Sequence, residues 1–234
     1  MSGEVLVGLL DSGVASELGD CVAVQSAFVL GDGERIERRP ASADAIGHGS
    51  SVARTIHAAA PTARIASAQV FHRRMEAPPA VVAAALGWAV EQGARLVNMS
   101  FGVRSDRDVL RAACAAAQAA GAILLAAAPA RGPAVFPAAY PGVIRVSGDA
   151  RCAPGDVSFL GSAQADFGAC PQTSDGRVRG ASAAVAQLTG RAAAFLAERP
   201  EADAAAVARF LETAARHRGP ERRGGAPASG ETLR

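Results

Sequence analysis

An α/β fold, a mostly parallel sheet with helices on both faces, follows from three features of this chain. Short apolar runs of strand length recur from residue 4 to residue 148. Three of them are each preceded by an Ala-rich stretch of helical period. Half of the residues are apolar, enough for a core on each side of such a sheet. Alternation of this kind builds parallel strands, because a parallel pair needs a crossover and a helix supplies it.

The first strand is "EVLVGLL" (4–10), which runs into Asp11-Ser12-Gly13. A strand pair is expected within "CVAVQSAFVLGDGERIERR" (21–39), where "GDG" at 31–33 is a turn signal. A helix over about 50–59 leads to the strand "RIASAQV" (64–70), and one over 78–92 leads to "ARLVNMS" (94–100). A third, over 106–120, has Asp106 near its start and Gly121 just past its end, and leads to "AILLAAA" (122–128). "GVIRVSG" (142–148) is the last strand expected, followed by a long helix over 182–198. Pro200 suits the first turn of a second C-terminal helix. No internal repeat or linker interrupts the chain, so residues 1–215 are read as one domain. Residues 216–234, "RHRGPERRGGAPASGETLR", lack apolar periodicity and are expected to be a disordered tail.

Composition narrows the function. The chain has 24 basic and 22 acidic residues, a net charge of +2, which gives no reason to expect a nucleic-acid partner. Every basic residue other than histidine is arginine, a bias of composition before it is a sign of recognition. The apolar runs stop short of a membrane span, and no secretory signal is visible. Cys21, Cys114, Cys152 and Cys170 fall at no metal-ligand spacing and read as buried thiols. No metal or cofactor is expected, and a cytoplasmic protein is. The first core strand starts about four residues in, and no folded segment is expected ahead of it.

In open α/β sheets, functional residues gather at the carboxyl ends of strands. Asp11 ends the first strand, His48 sits between two glycines in "GHGSSVARTI" (47–56), and Ser182 opens the helix of "RGASAAVAQLTG" (179–190). Each alone has a plain structural explanation. Asp before Ser-Gly forms turns, a histidine in a glycine-flanked loop is a surface residue, and Ser at a helix start is an N-cap. His57 reads as a helix-face residue, His72 as part of a charged loop and His217 as part of the tail. Arg73, Arg74 and Arg104 read as solvated charge. The first strand ends without a G-x-G-x-x-G or a P-loop, which excludes the common nucleotide-binding turns.

Taken jointly, the stretches "LLDSGV", "GHGSSVARTI", "LVNMSFG" (96–102) and "GASAAVAQLTG" (180–190) resemble, in order, the four signature segments of the subtilisin-like serine proteases. The resemblance spans residues 5–196 and implies that family's three-layer architecture. It also implies roles. Ser182 would attack a peptide carbonyl, His48 would move the proton, and Asp11 would orient the imidazole. The backbone N–H of Ser182 would serve the oxyanion. Ser100, Phe101 and Gly102 would pair with the substrate backbone, and Ala127, Ala128 and Pro129 would line the pocket for the side chain before the cut. The pattern breaks in "LLAAAPARG" (124–132), where Ala130 stands in place of the family's oxyanion-hole Asn.

A serine endopeptidase that is slow and selective follows from this resemblance and from the Ala130 break; milder departures are Ala181, Ser51 and Ala186, where the family has Thr, His and Pro. Its substrate would be a peptide or small protein, presented in some cases by a modifying enzyme. In character the chain resembles maturation proteases that remove a leader, among them the subtilisin-like protease of quinohemoprotein amine dehydrogenase biogenesis. The alternative is a catalytically impaired, subtilisin-like peptide-binding module.

Overall fold

The computed structural model describes residues 3–221. Its strands are β1 (Leu6–Asp11), β2 (Val22–Leu30), β3 (Ile36–Arg39), β4 (Arg64–Gln69), β5 (Leu96–Met99), β6 (Ile123–Ala127), β7 (Ile144–Gly148), β8 (Val157–Phe159), β9 (Phe167–Ala169) and β10 (Ala215–Arg218). Its helices are α1 (His48–Ala59), α2 (Pro79–Glu91), α3 (Asp108–Ala119), α4 (Ala181–Glu198) and α5 (Ala204–Thr213). The strands form one sheet in the order β10-β8-β9-β7-β6-β5-β1-β4-β2-β3. Pairing is parallel from β2 through to β9, while β3 and β8 are antiparallel to their inner neighbours. The expected mostly parallel α/β architecture is therefore present.

Side chains alternate across this sheet, and each face has its own core. Val7, Leu9, Leu96 and Leu125 pack with Val52 and Ile56 of α1 and Val185 and Leu188 of α4. Leu10, Val97, Met99 and Leu124 pack with Leu86 and Trp88 of α2 and Leu110 of α3. Each wholly buried leucine or isoleucine contributes about 1.5–3 kcal/mol relative to an exposed one. Because both faces are covered, a run such as "LVGLLD" is buried along nearly its whole length. The small residues of α4, such as Ala183, Ala184 and Ala186, are wholly buried between sheet and α1.

The C-terminal third departs from the expectation in three ways. Two short strands, β8 and β9, pair with each other where no element was expected. They are three residues each, too short to show a period. The second is β10, which pairs with β8 inside the segment expected to be tail. Residues 216–218, His217 among them, therefore belong to the sheet; 222–234 lie outside the described residues. The third concerns Pro200, which precedes the last helix instead of entering it. The cap is Asp203, whose carboxylate accepts the Ala206 N–H at 2.7 Å.

Among the described residues no helix is long and apolar enough to cross a membrane. Nor does any group of three or more His, Cys, Asp or Glu among them sit where it could hold a metal ion. The four cysteines are free and buried. Burial pushes the thiol of Cys114 up to about 12, so it packs as an inert apolar group.

Candidate active site

Three elements end at one edge of the sheet. β1 and β5 pair with Leu10 beside Met99, so Asp11 and Ser100 leave the sheet side by side. β6 lies next to β5 with Ala126 beside Met99, which puts the segment from Ala127 onward next to Ser100. The sheet thus gathers Asp11, 100–102 and 127–129 at the carboxyl ends of three adjacent strands.

Asp11 is wholly buried. Its Oδ1 accepts the N–H of Ser12 at 2.7 Å and lies 2.7 Å from Nδ1 of His48. Its Oδ2 is buried without a hydrogen-bond partner. Removed from water, the carboxylate acts on the imidazole through a medium of low dielectric. The turn after it is held by Gln69 of β4, whose amide donates to the Ser12 carbonyl at 2.9 Å. Gln69 also accepts from the N–H of Ser42 at 2.9 Å, tying that loop to the same turn.

His48 is the first residue of α1 and keeps 15 % of its side chain exposed. Gly49 is required by close approach: a Cβ there would lie 2.2 Å from the carbonyl oxygen of Gly13. Removing the side chain lets the first turn of α1 rest on the turn after Asp11, and so brings the imidazole to the carboxylate. Asp44 completes the turn from the other side. It accepts the N–H groups of Gly47 (2.8 Å) and Ser50 (2.9 Å) and the Ser50 hydroxyl (2.6 Å). Ser50 in turn accepts the Ala15 N–H at 3.0 Å. Burial alone would lower the pKa of His48. The hydrogen bond to Asp11, with the charges of Asp11 and Asp44, outweighs burial and raises it above the ordinary 6.5.

Ser182 is not the N-cap of α4. The helix starts at Ala181, and the capping position is Gly180, whose φ of 80° and ψ of −148° suit glycine alone. The Ser182 hydroxyl donates to the carbonyl of Ser100 at 2.9 Å, away from the helix amides it would cap. No hydrogen bond to His48 is present among the described residues. At the first turn of α4, the amide of Ser182 has no partner within the helix and forms part of the positive end of the helix dipole.

The remaining candidates fall as follows. Ser100 is buried against Ser182, Phe101 meets Phe71 edge-on at 5.6 Å, and Gly102 is exposed. Ala127 and Ala128 are buried and Pro129 half-buried. The cavity on that side, about 260 Å³, is lined by the next two residues, Ala130 and Arg131, together with Gly148, Asp149 and Leu160. Asp44, Ser50 and Gln69 were missed by sequence reasoning. Asp44 leaves no trace beyond being the one acidic residue between Pro40 and His48, Ser50 lies inside the "GHGSSVARTI" segment, and Gln69 is the polar residue that ends the strand "RIASAQ".

Ser51 of α1 also joins elements distant in sequence. Its hydroxyl meets Thr173 at 2.9 Å and Asp175 at 2.5 Å, in the loop that leads to α4. The loop before Ser182 is thereby fastened to the helix that bears His48.

Comparison with known proteins bears on the family and the fold. The family model described as "Subtilase family" matches residues 2–227. Subtilisin DY of Bacillus licheniformis is 26% identical over 239 aligned residues, 92% of this chain and 85% of that protein. The Thermostable alkaline protease of Halalkalibacterium halodurans is 32% identical over 152 residues, 60% of this chain but only 40% of that protein's length. Among solved structures, a cold adapted subtilisin-like serine proteinase superposes with a TM-score of 0.71 at 24% identity, covering 89% of this chain and 81% of its own. A structure titled as a lanthipeptide protease superposes at 0.69 with 20% identity, covering 88% and 78%. The two structural likenesses are of fold. With a family match across nearly its full length, the chain belongs to the subtilase family.

Proposed function

We propose that this protein is a serine endopeptidase with Ser182 as nucleophile, His48 as general base and acid, and Asp11 as the group that orients the imidazole. The observation that carries this reading is the 2.7 Å pairing of His48 with the wholly buried Asp11, at the same sheet edge as Ser182. With Nδ1 of His48 held as the donor to Asp11, Nε2 is left as the acceptor for a serine proton. Ser182 would meet it by turning its hydroxyl away from the Ser100 carbonyl, on which it rests here. Attack on a peptide carbonyl would put negative charge where the free amide of Ser182 points. His48 would then return the proton to the leaving amine.

The site is read as slow. Ala130 occupies the place where the family's pattern has an Asn, and an alanine side chain donates no hydrogen bond. Loss of such a donor costs about 100- to 1,000-fold in turnover, a figure measured in subtilisin itself. A slow protease suits a single, well-bound substrate, because contacts remote from the scissile bond can supply the positioning. We read the activity as removal of a leader from a peptide or small protein in the cytoplasm, the substrate being presented in some cases by the enzyme that modified it. The maturation protease of quinohemoprotein amine dehydrogenase biogenesis, which cuts a leader from a cross-linked small subunit, is the kind of enzyme meant.

A second reading, a peptide-binding module with impaired catalysis, is favoured by one observation: the Ser182 hydroxyl rests on Ser100. The two readings part in one experiment. Leader-bearing precursor peptides and denatured casein are incubated with the wild type and with Ser182→Ala. The proposal expects cleavage of a precursor at one bond, none by the variant, and little degradation of casein. Cleavage throughout casein would contradict selectivity. Precursor binding without cleavage by either form would favour the second reading.

A further inference from the structure

We propose that Asn98 and Thr189 are positioning residues that fix Ser182 relative to the substrate-pairing edge at 100–102; this rests on the reading of Ser182 as nucleophile. Along β5 and just beyond it, residues two apart share a face, so Leu96, Asn98 and Ser100 all turn toward α4. Leu96 lies in the core shared with α4, whereas Val97 and Met99 belong to the other. On α4, Ser182 and Thr189 are seven residues apart, two turns along one face. A period of two on the strand and of about 3.6 on the helix thus brings two polar pairs together at two heights of one interface.

Three hydrogen bonds run from Thr189 toward Ser182, and a fourth returns from Ser182 to the strand. Thr189 Oγ1 donates to Asn98 Oδ1 at 3.0 Å, and Asn98 Nδ2 donates to Ser100 Oγ at 2.9 Å. Ser100 Oγ donates to the Ser182 carbonyl at 3.3 Å, and Ser182 Oγ donates back to the Ser100 carbonyl at 2.9 Å. Asn98 and Thr189 are wholly buried, and Ser100 is nearly so. Each hydroxyl has one proton to give, so once Thr189 donates to Asn98 the amide of Asn98 and the hydroxyl of Ser100 are oriented, and the latter holds the Ser182 backbone carbonyl. That order matters for a nucleophile. With no side-chain cap, Ser182 takes its height and rotation from what holds the first turn of α4, and this chain holds it from β5. An apolar pair in place of Asn98 and Thr189 would keep helix and strand in contact but leave their sliding unrestrained.

The test measures the second-order rate of labelling of Ser182 by a fluorophosphonate in wild type, Thr189→Val, Ser100→Ala and the double variant, with Thr189→Ser as rescue. Melting temperatures are recorded for each. Thr189→Val keeps the shape and removes only the hydroxyl; Ser100→Ala breaks the chain one step from Ser182 and covers the case in which the buried valine prevents folding. The proposal expects folded variants to be labelled about tenfold more slowly or worse. It expects Thr189→Ser to return most of the rate, and the double variant to be no slower than the slower single one. Rates equal to wild type in folded variants would overturn the proposal, as would losses that simply multiply in the double variant. A wild type that is never labelled at Ser182 would instead remove the nucleophile reading on which the proposal stands. Labelled wild type with unaffected variants removes only the relay.

Discussion

Oδ1 of Asp11 lies 2.7 Å from Nδ1 of His48, and the carboxylate behind that contact is wholly removed from water. This pairing fixes which imidazole nitrogen carries the proton. Asn at position 11 could present its amide N–H to the ring and so hold the wrong tautomer. Asp11→Asn is therefore expected to lower kcat by about 10⁴-fold while leaving the fold intact, as the same change does in a serine protease triad. Steady-state kinetics beside a circular dichroism spectrum check this.

The charge of Asp44 reaches His48 as well. The base must be neutral to take a proton, so the rate falls as pH drops through the raised pKa of His48, above 6.5. Asp44→Asn removes one of the charges that raise it, and the acid limb of the kcat/KM profile is expected to move to lower pH. The linkage to stability has the opposite sense. A pKa higher in the folded state gives stabilisation that is complete below the unfolded value and is lost as pH rises through the folded one. An unmoved acid limb in Asp44→Asn would show that Asp44 only caps the turn.

Gly49 lies against backbone, not against a yielding side chain. Gly49→Ala puts a methyl 2.2 Å from the Gly13 oxygen, so α1 or the turn after Asp11 has to shift. We expect a loss of about 1–3 kcal/mol of stability and a larger loss of activity than of stability. Chemical denaturation and a rate measurement on the same sample separate the two.

Asp149 makes a prediction at the other end of the pH scale. Burial would raise its pKa; the hydrogen bonds from Arg151, with its charge, overcome burial and hold it at about 2. A carboxylate depressed below its ordinary value of 3.8 stabilises the fold above that pH. The contribution, on the order of 2 kcal/mol, is lost as pH falls from about 4 to about 2. Asp149→Asn should be the less stable protein at pH 7 and should converge with the wild type near pH 2. Denaturation midpoints at the two pH values decide it.

Much of this molecule was legible from pattern because its central strands are buried on both faces. "LVGLL", "ARLVNM" and "AILLAA" are apolar runs of strand length, and glycines or acidic residues mark the ends of several. At the C-terminal edge that signal fails. The strand Ala215–Arg218 alternates half-buried and exposed positions and carries two arginines and a histidine, so its composition reads as tail. Its place in the sheet comes from pairing with Val157–Phe159, itself too short to show a period. The helix after Pro200 was readable in principle, since Asp203 is a good capping residue; the proline was the more conspicuous signal and misplaced the start. In the site, Asp11, His48 and Ser182 stand out because each sits in a motif. Gln69, Asp44 and the pair Asn98–Thr189 act through partners 27 to 91 residues away, or through backbone amides, and no local pattern announces them. Ser182 reads as a helix cap in sequence; the start of α4 at Ala181, the cap at Gly180 and the bond to Ser100 show that it is not one.

The central claim is that Ser182 is an activated nucleophile. Mass spectrometry of the purified protein after incubation with a fluorophosphonate tests it most directly, with Ser182→Ala and His48→Ala alongside. The account predicts one adduct, on Ser182 of the wild type, absent from Ser182→Ala and strongly reduced in His48→Ala. A correctly folded wild type with no adduct, or one labelled equally well without His48, would contradict it.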